Sequence, residues 1–151
     1  MKMRMFVPLV LAALISLVFS ACATTSPSGY NSDVPLPLDL KIVPPNSSVP
    51  AEYTGFSGKW EGRWDNTLNH ILVVEEIKGS NAVVVVYAWG RAPSWFIDPG
   101  WGRAKGQFKD NELILNLPNG AVVTYRLNNG VLASEYDRGR YFARATMKRS
   151  G

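Results

Sequence analysis

The chain has few of the residue types that build chemical sites. One cysteine, Cys22, and one histidine, His70, serve all 151 residues. A single cysteine makes no internal disulfide and no cysteine-based metal site. Zinc sites draw on several His, Cys or carboxylate ligands, so one histidine argues against a metal. Ser-His-Asp chemistry needs a base held by an orienting carboxylate and an exposed nucleophile, and no nucleophile-elbow motif occurs. His70, beside Asn69 at the start of a strand, reads as a surface or strand-end residue. Glu75 and Glu76 point to opposite faces of a strand. Without a bulge they are no glycosidase-like couple, and at least one of them faces solvent. No catalytic residue, metal or cofactor is expected.

Clustered charge is also lacking. The formal net charge is +4, but Lys2 and Arg4 belong to the first few residues, and the chain from Cys22 onward carries 14 basic against 12 acidic residues. The basic residues lie scattered at alternating positions. A nucleic-acid footprint wants clustered Lys and Arg, as does a polybasic membrane patch. No nucleic-acid partner is expected, and the excess reads as a solvated surface.

A long hydrophobic run is missing too, although a short one opens the chain. Phe6 to Phe19 are 14 residues with only Ser16 polar, too few for a permanent span of about 20 apolar residues. Two basic residues before the run and small residues after it are the pattern of a cleaved leader. The exit, Phe19-Ser20-Ala21-Cys22, resembles the lipobox of bacterial lipoproteins, with Phe19 in place of the usual aliphatic residue. The resemblance implies a diacylglyceryl thioether on Cys22, cleavage before it, and acylation of the new amine with a fatty acid such as palmitate. Two or three acyl chains give lasting attachment where one does not. Ala23, with no Asp after the cysteine, implies by the family's sorting rule the outer membrane, facing the periplasm. The competing reading is simple secretion after an Ala21-Cys22-Ala23 cleavage site.

Residues 23 to 54 hold six of the ten prolines, mixed with Ser, Thr and Asn. Such a stretch favours extended chain and reads as a tether able to hold a domain on the order of 100 Å from the bilayer at about 3.1 Å per residue. Leu36, Leu38, Leu40 and Ile42 alternate within it, a strand signal opposed by Pro37. They are either a few exposed apolar residues of the tether or a stretch that packs along the folded domain.

From Gly58 onward short alternating runs are broken by turn residues. Gly58 to Trp64, His70 to Lys78 and Asn81 to Gly90 are followed, after a longer loop, by Arg103 to Lys109, Glu112 to Leu117, Ala121 to Leu127, Val131 to Tyr136 and Arg140 to Lys148. The tight links carry Asn, Asp or Gly where positive φ is needed, and no stretch has helical periodicity. The expected fold is all-β: an antiparallel up-and-down meander of about eight strands. Closure into a small barrel removes the two edges that a flat meander would expose. The expected organisation is a signal peptide over residues 1–21 with a signal helix, a lipidated Cys22 and Pro-rich linker over 22–54, and a β-barrel domain over 55–151.

Gly58-Lys59-Trp60 opening the first strand, with an Arg near the chain end, resembles the calycin pattern of lipocalins and avidins. That resemblance implies that Trp60 plugs one end of the barrel and that an Arg of the last strand packs across it. Arg144 is the best match, with Arg140 and Arg149 as alternatives. The other short lipoproteins with eight-stranded barrels include inhibitors of lysozyme and of proteases, whose paired cysteines this chain lacks.

The longest loop of the domain, Trp89 to Arg103, carries three of the five tryptophans. Long loops on rigid scaffolds are common functional sites. Trp95, Phe96 and Trp101 are candidate contacts and Arg91 and Arg103 candidate polar anchors, because aromatic faces supply area and Arg directed hydrogen bonds. The alternative is that these aromatics only close one end of the barrel. The function expected is a non-enzymatic binding module on an envelope lipoprotein, held to the membrane by its lipid, with a cell-wall glycan, a lipid or an envelope protein as ligand. The alternatives are an inhibitor of a lysozyme or protease, or an accessory module to an envelope enzyme.

Overall fold

The computed structural model describes residues 33–151; the expected leader with its signal helix, and Cys22, lie outside the described residues. Eight antiparallel strands follow each other around a closed barrel, each paired with its sequence neighbours. They are β1 (Gly58–Trp64), β2 (Leu68–Gly79), β3 (Ala82–Trp89), β4 (Gly100–Lys109), β5 (Glu112–Asn116), β6 (Val122–Asn128), β7 (Val131–Arg138) and β8 (Tyr141–Arg149). A single helical turn, α1 (Ala51–Thr54), precedes them. The all-β, up-and-down, closed architecture is the one the alternating pattern calls for. Turn chemistry explains the hairpins: Asp110 and Asn111, then Asn129 and Gly130, all take positive φ. Such two-residue turns match the right-handed twist of the flanking strands.

β4 begins at Gly100, three residues earlier than its charge alternation suggests, so Trp101 and Arg103 are strand residues and not loop residues. The seam between β1 and β8 is short, from Trp60 opposite Arg149 to Gly62 opposite Met147. Gly62 is obligatory there, since a Cβ would come within 2.7 Å of the Thr146 carbonyl and 2.8 Å of Met147 Cγ. Above the ladder the seam is held by Asp65, whose N–H donates to the Arg144 carbonyl (2.8 Å) and whose carboxylate accepts the Arg144 N–H (3.1 Å).

The interior is filled. Trp60, Leu72, Val74, Val85, Leu113, Leu115, Val123, Tyr125, Leu132 and Met147 have no accessible surface. A hollow large enough for water beside any of them would give it some. Space for large residues comes from inward glycines of β4: a Cβ on Gly100 would lie 2.7 Å from Trp89, whereas one on Gly102 would meet nothing within 4 Å. A Cβ on Gly106 would lie 2.8 Å from both Leu113 and Leu115.

The up-and-down path places the β1–β2, β3–β4, β5–β6 and β7–β8 connections at one end, here the loop end. The β2–β3, β4–β5 and β6–β7 turns lie at the other, the closed end, with both ends of the folded chain's core, α1 and Arg149. There Phe56 and Tyr53 pack against Phe108. Trp60 is sealed beneath them, its Nε1–H donating to the Phe56 carbonyl (2.8 Å).

The latter part of the expected tether is not a tether. Val34, Leu36 and Leu40 pack on Ile71, Val73, Val86 and Ala88 on the outer wall of β2 and β3. Val43 N–H donates to the Glu75 carbonyl (2.7 Å). The folded unit therefore includes residues well before 55. This strap forms no strand: a turn at Leu38–Asp39 breaks the alternation, Pro37 is buried, and Leu38 and Ile42 face solvent.

Candidate functional site

The β3–β4 connection leaves the barrel at Gly90. It folds around a bridge between Ala92 and Ile97, a 3-10 turn over Pro93–Trp95, and Phe96 in the left-handed region (φ 55°). Trp89 pins it from the barrel mouth by donating its indole N–H to the Asp98 carbonyl (2.9 Å). Held in this way, Phe96 is almost wholly exposed (97%) and Trp95 is 55% exposed. A surface hollow of about 230 Å³ is lined by Arg91, Pro93, Phe96, Ile97 and Asp98. Trp101, paired with Ala88, stands on the outer wall just below the loop and is also exposed. Arg91, Trp95, Phe96 and Trp101 thus gather at one side of the loop end. The aromatics do not plug the barrel: the mouth is filled from inside by Trp64, His70, Tyr87, Trp89 and Tyr136.

Arg103 does not join them. Its guanidinium is bidentate to the buried Glu75 carboxylate (Nε–Oε2 2.7 Å, Nη2–Oε1 3.1 Å) and reaches Asp39 of the strap (3.1 Å). A β-bulge at Glu75, where the β2–β3 register skips from Val74 to Glu76, puts Glu75 and Glu76 on the same outer face. The two carboxylates are nevertheless spent separately, since Glu76 pairs with Lys78 (3.1 Å). Lys41 N–H adds a further bond to Glu75 (3.2 Å). Arg103 is therefore a clamp that fixes the strap, and its hydrogen bond holds the Asp39 carboxyl below the usual carboxylate range.

Trp60 lies under a cation, and that cation is Arg149, 4.3 Å from the ring centroid. Arg149 also donates to the Ser57 and Gly55 carbonyls. Arg144, expected in this role, sits near the middle of β8, over Phe142 (4.8 Å) and paired with Glu135 (3.2 Å). Strand parity explains the difference, because β8 turns Ala143, Ala145 and Met147 inward and so turns Arg144 outward.

His70 is neither at the surface nor at a strand end. It has no accessible surface and lies stacked on Trp64 inside the barrel. Nδ1 meets the Ala88 carbonyl (2.7 Å), an acceptor only, so Nδ1 carries the proton; Nε2 then accepts from the Tyr125 hydroxyl (3.0 Å). Burial lowers its pKa to about 4, so the ring is neutral at ordinary pH, while the Ala88 bond opposes the shift. Burial likewise raises the hydroxyls of Tyr87 and Tyr125. The signal for His70 was parity: it shares a face with Leu72 and Val74.

Among the described residues no group of three or more His, Cys, Asp or Glu could hold a metal ion, and no helix is long and apolar enough to cross a membrane. What the loop end can do chemically is offer aromatic faces and guanidinium groups to a partner outside the barrel. Comparison with family models, curated proteins and solved structures gives no match for the chain.

Proposed function

We propose that this chain is a lipid-anchored envelope protein, attached through Cys22 to the outer membrane and facing the periplasm. Its filled barrel serves as a non-enzymatic binding module that meets its partner with the loop end. One observation carries the binding part of this reading. The interior leaves no room for a ligand, while Trp95, Phe96 and Trp101 stand exposed at one end on a rigid support. Exposed aromatics held in place contribute contact area with little ordering cost. The committed hydrogen bonds and sealed position of His70 support a role outside catalysis. The apolar run and small residues before Cys22 support the anchor.

Palmitate labelling and photo-crosslinking in the same cells test both parts. Wild type should incorporate label and Cys22→Ser should not. A photo-crosslinking side chain at position 96 should give adducts that the same group at position 129, on the opposite end, does not. Retained labelling of the Ser variant would refute the lipobox. Identical adducts from both positions would refute the loop end as the contact face.

A further inference from the structure

We propose that the loop end of the barrel is a membrane-contact face, lying against the lipid headgroups of the bilayer to which the chain is tied; this rests on the anchored reading above. The first argument is where the chain leaves the fold. Asp33 is held at the loop end, accepting from Asn69 Nδ2 (2.7 Å) and from the Arg91 N–H (3.1 Å). From there the strap runs down the wall toward Glu75. Ten residues lie between Cys22 and Asp33, eleven Cα-to-Cα steps. Such a length reaches roughly 40 Å when fully extended and about 20 Å as a flexible coil. With the later residues bound to the wall, the connection toward Cys22 starts at the loop end and has only this reach.

The second argument is where the apolar surface lies. Among the described residues, six of the eight exposed large hydrophobics belong to the loop end: Trp95, Phe96, Trp101, Val122, Tyr141 and Phe142. They are not one patch. The first three flank the start of β4, and Tyr141 and Phe142 start β8, four strands away around the barrel. No small ligand spans both groups, but a flat surface meets both together. Aromatic side chains favour the headgroup level of a bilayer, where a ring has apolar and polar neighbours. The closed end differs: its hairpin turns, at Ser80–Asn81, Asp110–Asn111 and Asn129–Gly130, expose polar residues and glycine.

Charge fits the same occupant. Among the described residues, Arg138 and Arg140, in and beside the β7–β8 turn, are exposed and make no ion pair, and Arg91 has a long one to Asp98 (3.9 Å). Guanidinium groups match phosphate geometry, and long side chains reach the headgroups while their stems lie along apolar surface. The neighbouring carboxylates are mostly turned onto the protein: Asp33 onto Asn69, Asp65 onto the Arg144 N–H, and Asp137 onto the Gly139 N–H (2.9 Å).

The test uses the mature lipidated protein, purified from cells and reconstituted into vesicles of phosphatidylcholine and phosphatidylglycerol whose acyl chains carry bromine near the headgroup. Tryptophan emission of wild type should be quenched relative to unbrominated vesicles. Trp95→Ala/Trp101→Ala, which alters exposed residues only, should lose that quenching, and Arg138→Glu/Arg140→Glu should weaken it. Vesicle flotation and the mass of the Cys22 peptide report the anchor separately. An acylated, floating wild type with unquenched emission overturns the contact face and leaves the anchored reading intact, as does undiminished quenching in the double-Ala variant. A Cys22 peptide without acyl groups overturns the anchored reading and the contact face with it.

Discussion

His70 shows how one side chain ties fold to solution behaviour. In the unfolded chain its imidazole takes up a proton near pH 6.5, whereas in the native barrel burial defers protonation to about pH 4. Between these values the unfolded state binds more protons, so stability is full above pH 6.5 and falls as pH falls toward 4. The shift corresponds to roughly 3 kcal/mol at about 1.4 kcal/mol per unit. Chemical denaturation at pH 7 and pH 4 should show that loss, and His70→Gln should flatten the dependence across the window; an unchanged slope in the variant would remove His70 as its cause. The lowered carboxyls of Asp33, Asp39 and Glu135 act lower still, each losing its contribution as pH falls through the native value.

The strap is the element that the alternation of Leu36, Leu38, Leu40 and Ile42 described only in part. Alternation places four residues on one face; the wall instead receives Val34, Leu36 and Leu40, and Pro37 is buried. A better signal lay in the partners. Ile71 to Val74 in β2 and Val83 to Val86 in β3 are apolar at consecutive positions, which marks strands covered on both faces. One face is the barrel core and the other lies under the strap. Arg103 joins strap to wall, and its loss leaves Glu75 buried with a backbone N–H in place of a countercharge. Removing one partner of a buried pair is destabilising where removing both often is not. Arg103→Ala should therefore lower the melting temperature and speed amide exchange at Val43, while Arg103→Ala/Glu75→Leu should recover part of the melting temperature. Slow exchange at Val43 in the single variant would show the strap held without the clamp.

At the scale of the molecule, the closed barrel is a support with a packed core. Eight-stranded up-and-down barrels can hold a small ligand, but here inner positions are occupied by Trp60, Trp64, Tyr87, Tyr125 and the aliphatic residues around them. Interiors packed in this way leave no site for a drug-sized molecule, which needs about 300 Å³ or more. Titration with a fluorescent fatty acid should give no saturable enhancement. One-to-one binding abolished by Leu72→Trp would reveal a cavity in the barrel. The two ends differ in a way no single strand conveys, with Trp60, Arg149 and α1 sealing one and aromatic side chains projecting at the other.

Much was legible in the residues alone. Period-2 alternation with tight Asn, Asp and Gly turns determined eight antiparallel strands in consecutive order, because side-chain direction and turn conformation are local properties. Trp60 as a plug was what the resemblance to the calycin pattern implied, and the structure places it buried under Arg149. Only the tertiary structure decided which arginine covers Trp60, because Arg144 and Arg149 are told apart by their inward or outward parity and by the register of β8 on β1. Closure likewise decided that Arg103 serves Glu75 and Asp39 instead of the aromatic loop, and that His70 is sealed inside. Those outcomes join residues distant in sequence, whose meeting depends on how the sheet curls and what then covers its wall.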